Sequence, residues 1–445
     1  MNRNRLFLSA LLLSGTMTAH GVGAHTSRQE PARAVTKGPA SVRHQESHPE
    51  AKCERCGSTA GKGQASSHRL PQGKEVHTAK GDRVTSRRED HARELHIPPT
   101  VVHHDPDGRR EIRVERPDHS VLVASHGGHG YIQRSYSYHG HEFAHRTYYE
   151  HGVAYTRVYQ PYYYRGIAFH VYAPGFYYAP AFYGWAYGPW AAPVAWEWGW
   201  AVHPWYRYYG PWFRPYPIYT SPSLWLTDYL VAQTLEAAYE ERAAAAAASR
   251  RALLAADFAS TPMTLEVKQA IAEEVRRQLA LENAEARAGI QNPPDPGSSG
   301  LARMLNDRTS HVFVVATGLE VMSSIGACAL TEGDVIQLNG PAAPNAVTAN
   351  LLVLANKGND CRKGSLVTVG LADLQEMQNH MRETIDRGLR ELHSKQGKGG
   401  LPAAPPAATK APVQTEFAAI APPPDPNGEA EIRQQAADAS QAVRR

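Results

Sequence analysis

The residues of this 445-residue chain best suited to chemistry are its four cysteines and its many histidines. Cys53-Glu54-Arg55-Cys56 is a CxxC pair, and His44 and His48 precede it, so the four side chains make a set that could hold zinc tetrahedrally. In flexible chain the same pair more readily closes a local disulfide, and redox work would need a βαβ scaffold that the surrounding sequence does not supply. Cys328 and Cys361 stand far apart, in a stretch of short apolar runs. Their simplest use is a structural disulfide, closing a loop of about 34 residues and contributing ~3–4 kcal/mol on the chain-entropy model. Of the 22 histidines, 17 fall between residues 25 and 170. His139 and His141 are two apart and would share one face of a strand, with His145 close by, so zinc or copper could gather there. Carboxylates are scarce around them, and solvated turn positions account for these histidines as well.

Enzyme signatures are missing. No GxSxG elbow, HExxH, P-loop or Rossmann glycine set occurs, and no spacing singles out a Ser-His-Asp triad. A net charge of +4 is too small to argue for nucleic acid. The expectation is a protein that is not an enzyme and needs no cofactor. Its binding groups would be aromatic. All 22 Tyr, all 8 Trp and 5 of the 9 Phe lie between 131 and 239, which rules out one uniform globular domain. Trp185, Trp190, Trp196, Trp198, Trp200, Trp205 and Trp212 could form a surface for self-association or for an envelope polymer, since indole rings offer flat apolar faces with a polar edge. Equally, they could pack as a core under the neighbouring helices.

Trp185-Ala186-Tyr187-Gly188-Pro189-Trp190 resembles a single copy of the WxxGxW repeat of exported bacterial proteins. Leu330-Thr331-Glu332-Gly333-Asp334-Val335-Ile336-Gln337-Leu338-Asn339-Gly340 resembles the strand-turn-strand segment of PDZ domains, over roughly residues 310–375. That likeness implies a peptide ligand added to a sheet edge, near a loop marked by Gly333, Asp334 and Gly340. No GLGF-like carboxylate-binding loop precedes it, so a small structural β domain is the competing reading.

The elements that must position these groups divide the chain into segments. Residues 1–24 read as a secretory signal peptide: Arg3 and Arg5, the short apolar run Leu6–Leu13, then small residues before His25. Residues 25–100 read as a disordered His-rich arm, with only seven Val, Ile or Leu and no aromatic. Residues 101–173 alternate polar and apolar around Tyr138-His139-Gly140, Glu150-His151-Gly152 and Tyr164-Arg165-Gly166, which predicts an antiparallel β-meander of tight hairpins. Residues 174–222 are rich in Pro, Trp and Tyr and read as loops. Residues 223–288 predict a helical hairpin: one helix over 223–257, a second opened by Thr261-Pro262. Residues 289–307 read as a linker, 308–396 as a PDZ-like α/β module closed by a helix from Leu371 to Ser394, and 397–445 as a disordered Pro/Ala-rich tail. The fold class expected is therefore α+β, built in several segments, with two helices between the meander and the C-terminal module. No stretch is long and apolar enough to span a bilayer. The order of signal peptide, His-rich arm, Tyr-rich repeat, Trp225–Leu230 helix and Cys-containing β unit is similar to a family of uncharacterised exported bacterial proteins. The likeness implies export to the periplasm, outer surface or medium, and no particular activity.

Overall fold

The computed structural model describes the backbone of 75–77, 83–86, 95–97 and 100–104, and residues 110–442 apart from 126–129, 151, 249–261, 290–291 and 359. Residues 1–24, read as a signal peptide, and most of the arm lie outside the described residues, as do His44, His48, Cys53 and Cys56. The rest is α+β. Ten antiparallel strands pair strictly in chain order: β1 Glu75–His77, β2 Arg83–Ser86, β3 Leu95–Ile97, β4 Thr100–His104, β5 Arg110–Glu115, β6 Val121–Ser125, β7 Gly130–Tyr138, β8 His141–Glu150, β9 Val153–Tyr164 and β10 Ile167–Ala173. The meander thus begins before residue 101, where the alternation places its start, with β1 to β3 inside the stretch expected as a disordered arm. Its tight turns are the expected ones. Tyr138 pairs with His141 and Tyr164 with Ile167 across two-residue loops. His139 (φ 47°) with Gly140 (φ 79°), and Arg165 (φ 51°) with Gly166 (φ 83°), take the two positive φ values that such a loop demands.

Strand alternation gives the meander two unlike faces. Ile132, Phe143, Val158, Phe169 and Val171 point to one side; Tyr131, Arg146, Tyr148, Arg157, Tyr159 and Tyr172 point to the other. Next come β11 Phe176–Tyr177, the helices α1 Pro180–Tyr187 and α2 Pro204–Tyr209 with a 3-10 turn at Trp200–Val202, and the long helices α3 Pro222–Ala248 and α4 Leu265–Ala288. The 174–222 segment is therefore partly helical rather than all loop. Its prolines start helices, with Pro180 and Pro204 in the first turn, where the missing N–H costs nothing. The second long helix starts later than Thr261-Pro262. The Met263 N–H donates to the Trp212 carbonyl (2.9 Å), which keeps the chain out of the helix, and Thr264 is the residue whose side chain caps Val267.

The stretch expected as a linker holds α5 Pro296–Ser299 and α6 Leu301–Asn306, with Leu301, Ala302, Met304 and Leu305 buried. Six strands follow: β12 His311–Val314, β13 Leu319–Ser323, β14 Gly326–Leu330, β15 Val335–Leu338, β16 Thr348–Ala355 and β17 Leu366–Gly370, in the antiparallel order β12-β15-β16-β17-β13-β14. Helix α7 Leu371–Lys395 closes them. This C-terminal sheet shares its cores with the rest. Val312, Val314 and Val335 pack with the aromatic block, and Phe313 and Ile336 pack with Phe169 and Val171 of the meander. The tail is ordered, against expectation. It runs through β18 Val413–Gln414, α8 Glu416–Ala419 and α9 Gly428–Ala442, and buries Leu401, Ala404, Ala408, Phe417, Ile432 and Ala436. Each isolated apolar side chain enters a groove already built by the body, and prolines limit the entropy lost on fixing the chain between them. All described residues belong to one compact unit.

Candidate functional site

The aromatic block faces inward. Among the rings of 172–219, only Phe176 (37% exposed) and Tyr187 (52%) are open to solvent. Of the seven tryptophans considered for a surface, Trp190, Trp205 and Trp212 are buried. Trp185, Trp196, Trp198 and Trp200 are half-buried and pack against the same core. Trp198 stacks on Trp200 (4.2 Å) and lies 4.5 Å from Trp225 of α3. The physical reason is area: so many large rings bury more apolar surface against α3 and α4 than any exposed arrangement could.

One polar centre organises this core. Asp228, in the first half of α3, is fully buried. Its carboxylate accepts from the Tyr219 hydroxyl (2.7 Å) and the Tyr216 N–H (2.5 Å), and pairs with Lys268 of α4 (2.6 Å). The Lys268 ammonium also lies 3.7 Å from the Tyr216 ring centre. Burial raises the Asp228 pKa against the pull of Lys268, and burial lowers that of Lys268. Nothing in the sequence separates Asp228 and Lys268 from ordinary solvated helix charges.

A cleft of about 520 Å³ opens on the outside of this core. Tyr187, Gly188 and Pro189 come from the WxxGxW-like segment as it leaves α1; Thr220 and Ser221 lie just before α3 and Leu224 in its first turn. Gln269, Glu273 and Arg276 line the opposite wall, spaced by four and three residues, and so stand on one side of α4. The Trp190 N–H donates to the Thr220 carbonyl (2.9 Å), which fixes one rim to the other. Glu273 and Arg276 pair at 2.5 Å. An exposed phenol ring beside an amide, a carboxylate, a guanidinium and two hydroxyls offers a stacking face with both donors and acceptors.

A second polar layer is largely buried, with Glu376 exposed at its rim. Helix α7 sets its charged side against the Tyr/Arg face of the meander. Arg146 forms a two-bond pair with Glu376 (3.2 Å each) while its guanidinium lies 4.2 Å from the Tyr159 ring centre. Glu383 pairs with Arg157 and accepts from the Tyr159 hydroxyl. Asn379 covers the outer edge of β10, donating to the His170 carbonyl (2.6 Å) and accepting from the Tyr172 N–H (3.0 Å). Arg382 is fully buried and reaches Glu285 of α4 (2.7 Å). Beside it both Glu282 oxygens have no hydrogen-bond partner among the described residues. Burial, and then the Asp386 charge, holds the Glu282 carboxyl well above the usual range; burial pushes Asp386 up to about 6.

The remaining expected residues are placed as follows. Cys328 and Cys361 form a disulfide, Cα–Cα 5.1 Å. It ties the edge strand β14 to Cys361 between β16 and β17, where the Ala329 N–H donates to Asp360 (2.6 Å). Gly333 (φ 83°) and Asp334 belong to the interior. A side chain at 333 would meet Leu235 at 2.7 Å, and Asp334 is saturated by Thr331, Asn356 and Lys357. Gly340 (φ 87°) sits in an open turn. His139 and His141 are exposed at a hairpin, whereas His145 is buried and its pKa is lowered to about 4 by burial and by Arg134. Among the described residues no three His, Cys, Asp or Glu side chains are placed to hold a metal ion. His311, which sequence reasoning passes over, lies between Glu274 (3.0 Å) and Asp307 (2.8 Å). Both its ring nitrogens are occupied and it is fully buried, so it braces α4 against β12 rather than serving as a free base.

The fold is α+β, with an aromatic-edged cleft on the outside of a tyrosine- and tryptophan-packed core. No family model, curated protein or solved structure matches this chain.

Proposed function

We propose that this chain is a non-enzymatic binding protein of an oxidising, extracytoplasmic compartment, and that it holds a polyhydroxylated envelope polymer in the Tyr187 cleft. The observation that carries the reading is the cleft itself. The one widely exposed ring of the WxxGxW-like segment faces Gln269, Glu273, Arg276 and Ser221 across a volume of about 520 Å³, room for a few sugar units. Stacking on the phenol ring would supply apolar contact, and the mixed donor and acceptor wall would pair ring hydroxyls. The Cys328–Cys361 disulfide supports the compartment, as does the reading of residues 1–24 as a signal peptide. Addition of a peptide strand has less support: at the β14 edge the Ala329 N–H is already taken by Asp360.

Co-sedimentation of the full chain with purified cell-wall sacculi tests this. Retention on the wall, reduced about tenfold by Tyr187→Ala and again by Arg276→Ala at unchanged circular dichroism, is expected. No retention, or retention indifferent to both substitutions, would contradict it.

A further inference from the structure

The tail docks on the meander in an unusual way. Three strands, β5 to β7, present Val114, Leu122, Ala124 and Ile132 on one face, with Tyr149 of β8 alongside. Arg116 and Arg134 flank this apolar strip. Both reach the Asp425 carboxylate (3.0 and 3.1 Å), Arg134 also donates to the Pro423 carbonyl (3.2 Å), and Arg116 pairs with Glu431. The Tyr149 hydroxyl donates to the Asp425 carbonyl (2.7 Å). The groove thus reads an acidic residue ahead of a helix, a second acid in its first turns, and an apolar residue between strands.

Helix α9 meets that description poorly on its apolar side. Among its described side chains it buries Gly428, Ile432 and Ala436, one turn apart each, and Ile432 is the sole large one of these. Exposed residues make up most of the rest, and the preceding 422–426 segment is Pro-rich and bears no core residue. Docking rests on one large apolar side chain and an ion cluster open to solvent at Glu431, far less than holds the body together, so the tail is the part expected to open first.

We infer that this groove is a docking site for an amphipathic helix of a partner protein, one with an acidic residue just before the helix and larger apolar residues where this chain has Ile432 and Ala436, and that the tail holds the site closed until such a helix displaces it. Charge complementarity at Arg116 and Arg134 selects the partner's acidic start, and a helix with more apolar surface than the lone Ile432 would bury more of the strip and win. Because the resident is tethered, it raises a competitor's apparent Kd by the inverse of the open fraction, on the order of tenfold to a hundredfold.

Gly428 allows a direct test. A methyl group there would lie 2.2 Å from the Tyr149 hydroxyl and 2.7 Å from Ile132, so Gly428→Ala favours the helix yet drives it off the groove. The probe is a fluorescent peptide with the sequence of residues 423–442. Full-length Gly428→Ala is expected to bind it at least tenfold more tightly than the unaltered chain, and Ile432→Asp, a second way to free the groove, should do the same. Adding Arg116→Glu should abolish binding in both. Equal or absent binding by both opened chains, with the fold intact by circular dichroism, would overturn the proposal, as would binding indifferent to Arg116→Glu. A concentration-dependent dimer of the unaltered chain that Gly428→Ala dissolves would assign the groove to a second copy instead, and would equally overturn it.

Discussion

The segment 174–222 and the tail 397–442 are both rich in proline and poor in regular structure, yet they do opposite work. In the first, prolines alternate with the largest side chains available, and the rings collapse onto α3 and α4 around the Asp228–Lys268 pair. In the second, prolines alternate with alanine, and single residues such as Phe417 and Ile432 are lodged separately on a surface made by others. Proline content decides how stiff a segment is; the side chains between the prolines decide whether it builds a core or merely visits one. The same contrast separates a rigid wall for the Tyr187 cleft from a strap that can be lifted.

Removing a ring from the first segment should break the contrast most severely. Trp212 is fully buried, and Trp212→Ala is expected to cost about 3–5 kcal/mol, read as a lowered denaturation midpoint with an unchanged slope. A loss below about 1 kcal/mol would mean that the segment is not a core. Lys268→Met comes next. It strands a buried Asp228 carboxylate and should cost roughly 3–4 kcal/mol, with part of the loss recovered by the double variant carrying Asp228→Asn.

A smaller effect depends on pH. Asp386 titrates near 6 in the folded chain, and Glu282 is also held well above its ordinary value. A carboxyl raised on folding gives stability that is present at low pH and is lost as pH rises through the folded value. Glu282→Gln should therefore stabilise the protein by about 1–2 kcal/mol at pH 8 and have little effect at pH 4, seen by comparing thermal midpoints at the two values. His145 and His170, both lowered to about 4 by burial, act on the opposite side, withdrawing stability as pH falls below their unfolded value near 6.5 in the wild type and the variant alike. The smallest effect belongs to the tail. Ile432→Ala should change global stability by less than about 1 kcal/mol while sharply increasing proteolysis within 420–442. A large global loss would erase the distinction between strap and core.

The meander is legible in the sequence because its signals are local: alternation, and a glycine after His139 and Arg165 that only a two-residue turn requires. The Cys328–Cys361 pairing is legible because the C-terminal sheet brings both to one edge, as the simplest reading requires. The direction of the tryptophans is not, because indole suits a core and a platform alike, and only the arrangement of α3 and α4 chooses between them. Arg382, Glu282 and Asp386 are hidden for a related reason. On α4 and α7 they have the spacing of a solvated helix face, and nothing local announces that a second layer of structure covers it. The ordered tail is equally illegible, because single apolar residues set among prolines carry no period.

The aromatic block is interior, and the proposed ligand contact is confined to Tyr187 and its cleft. Hydroxyl-radical footprinting of the full chain, with and without saturating cell-wall sacculi, tests both halves together. Strong labelling of Tyr187, none of Trp205, Trp212 or Trp225, and loss of Tyr187 labelling when the wall polymer is present are expected. Labelling of Trp212 at the rate of Tyr187, or Tyr187 labelling unchanged by the polymer, would contradict it.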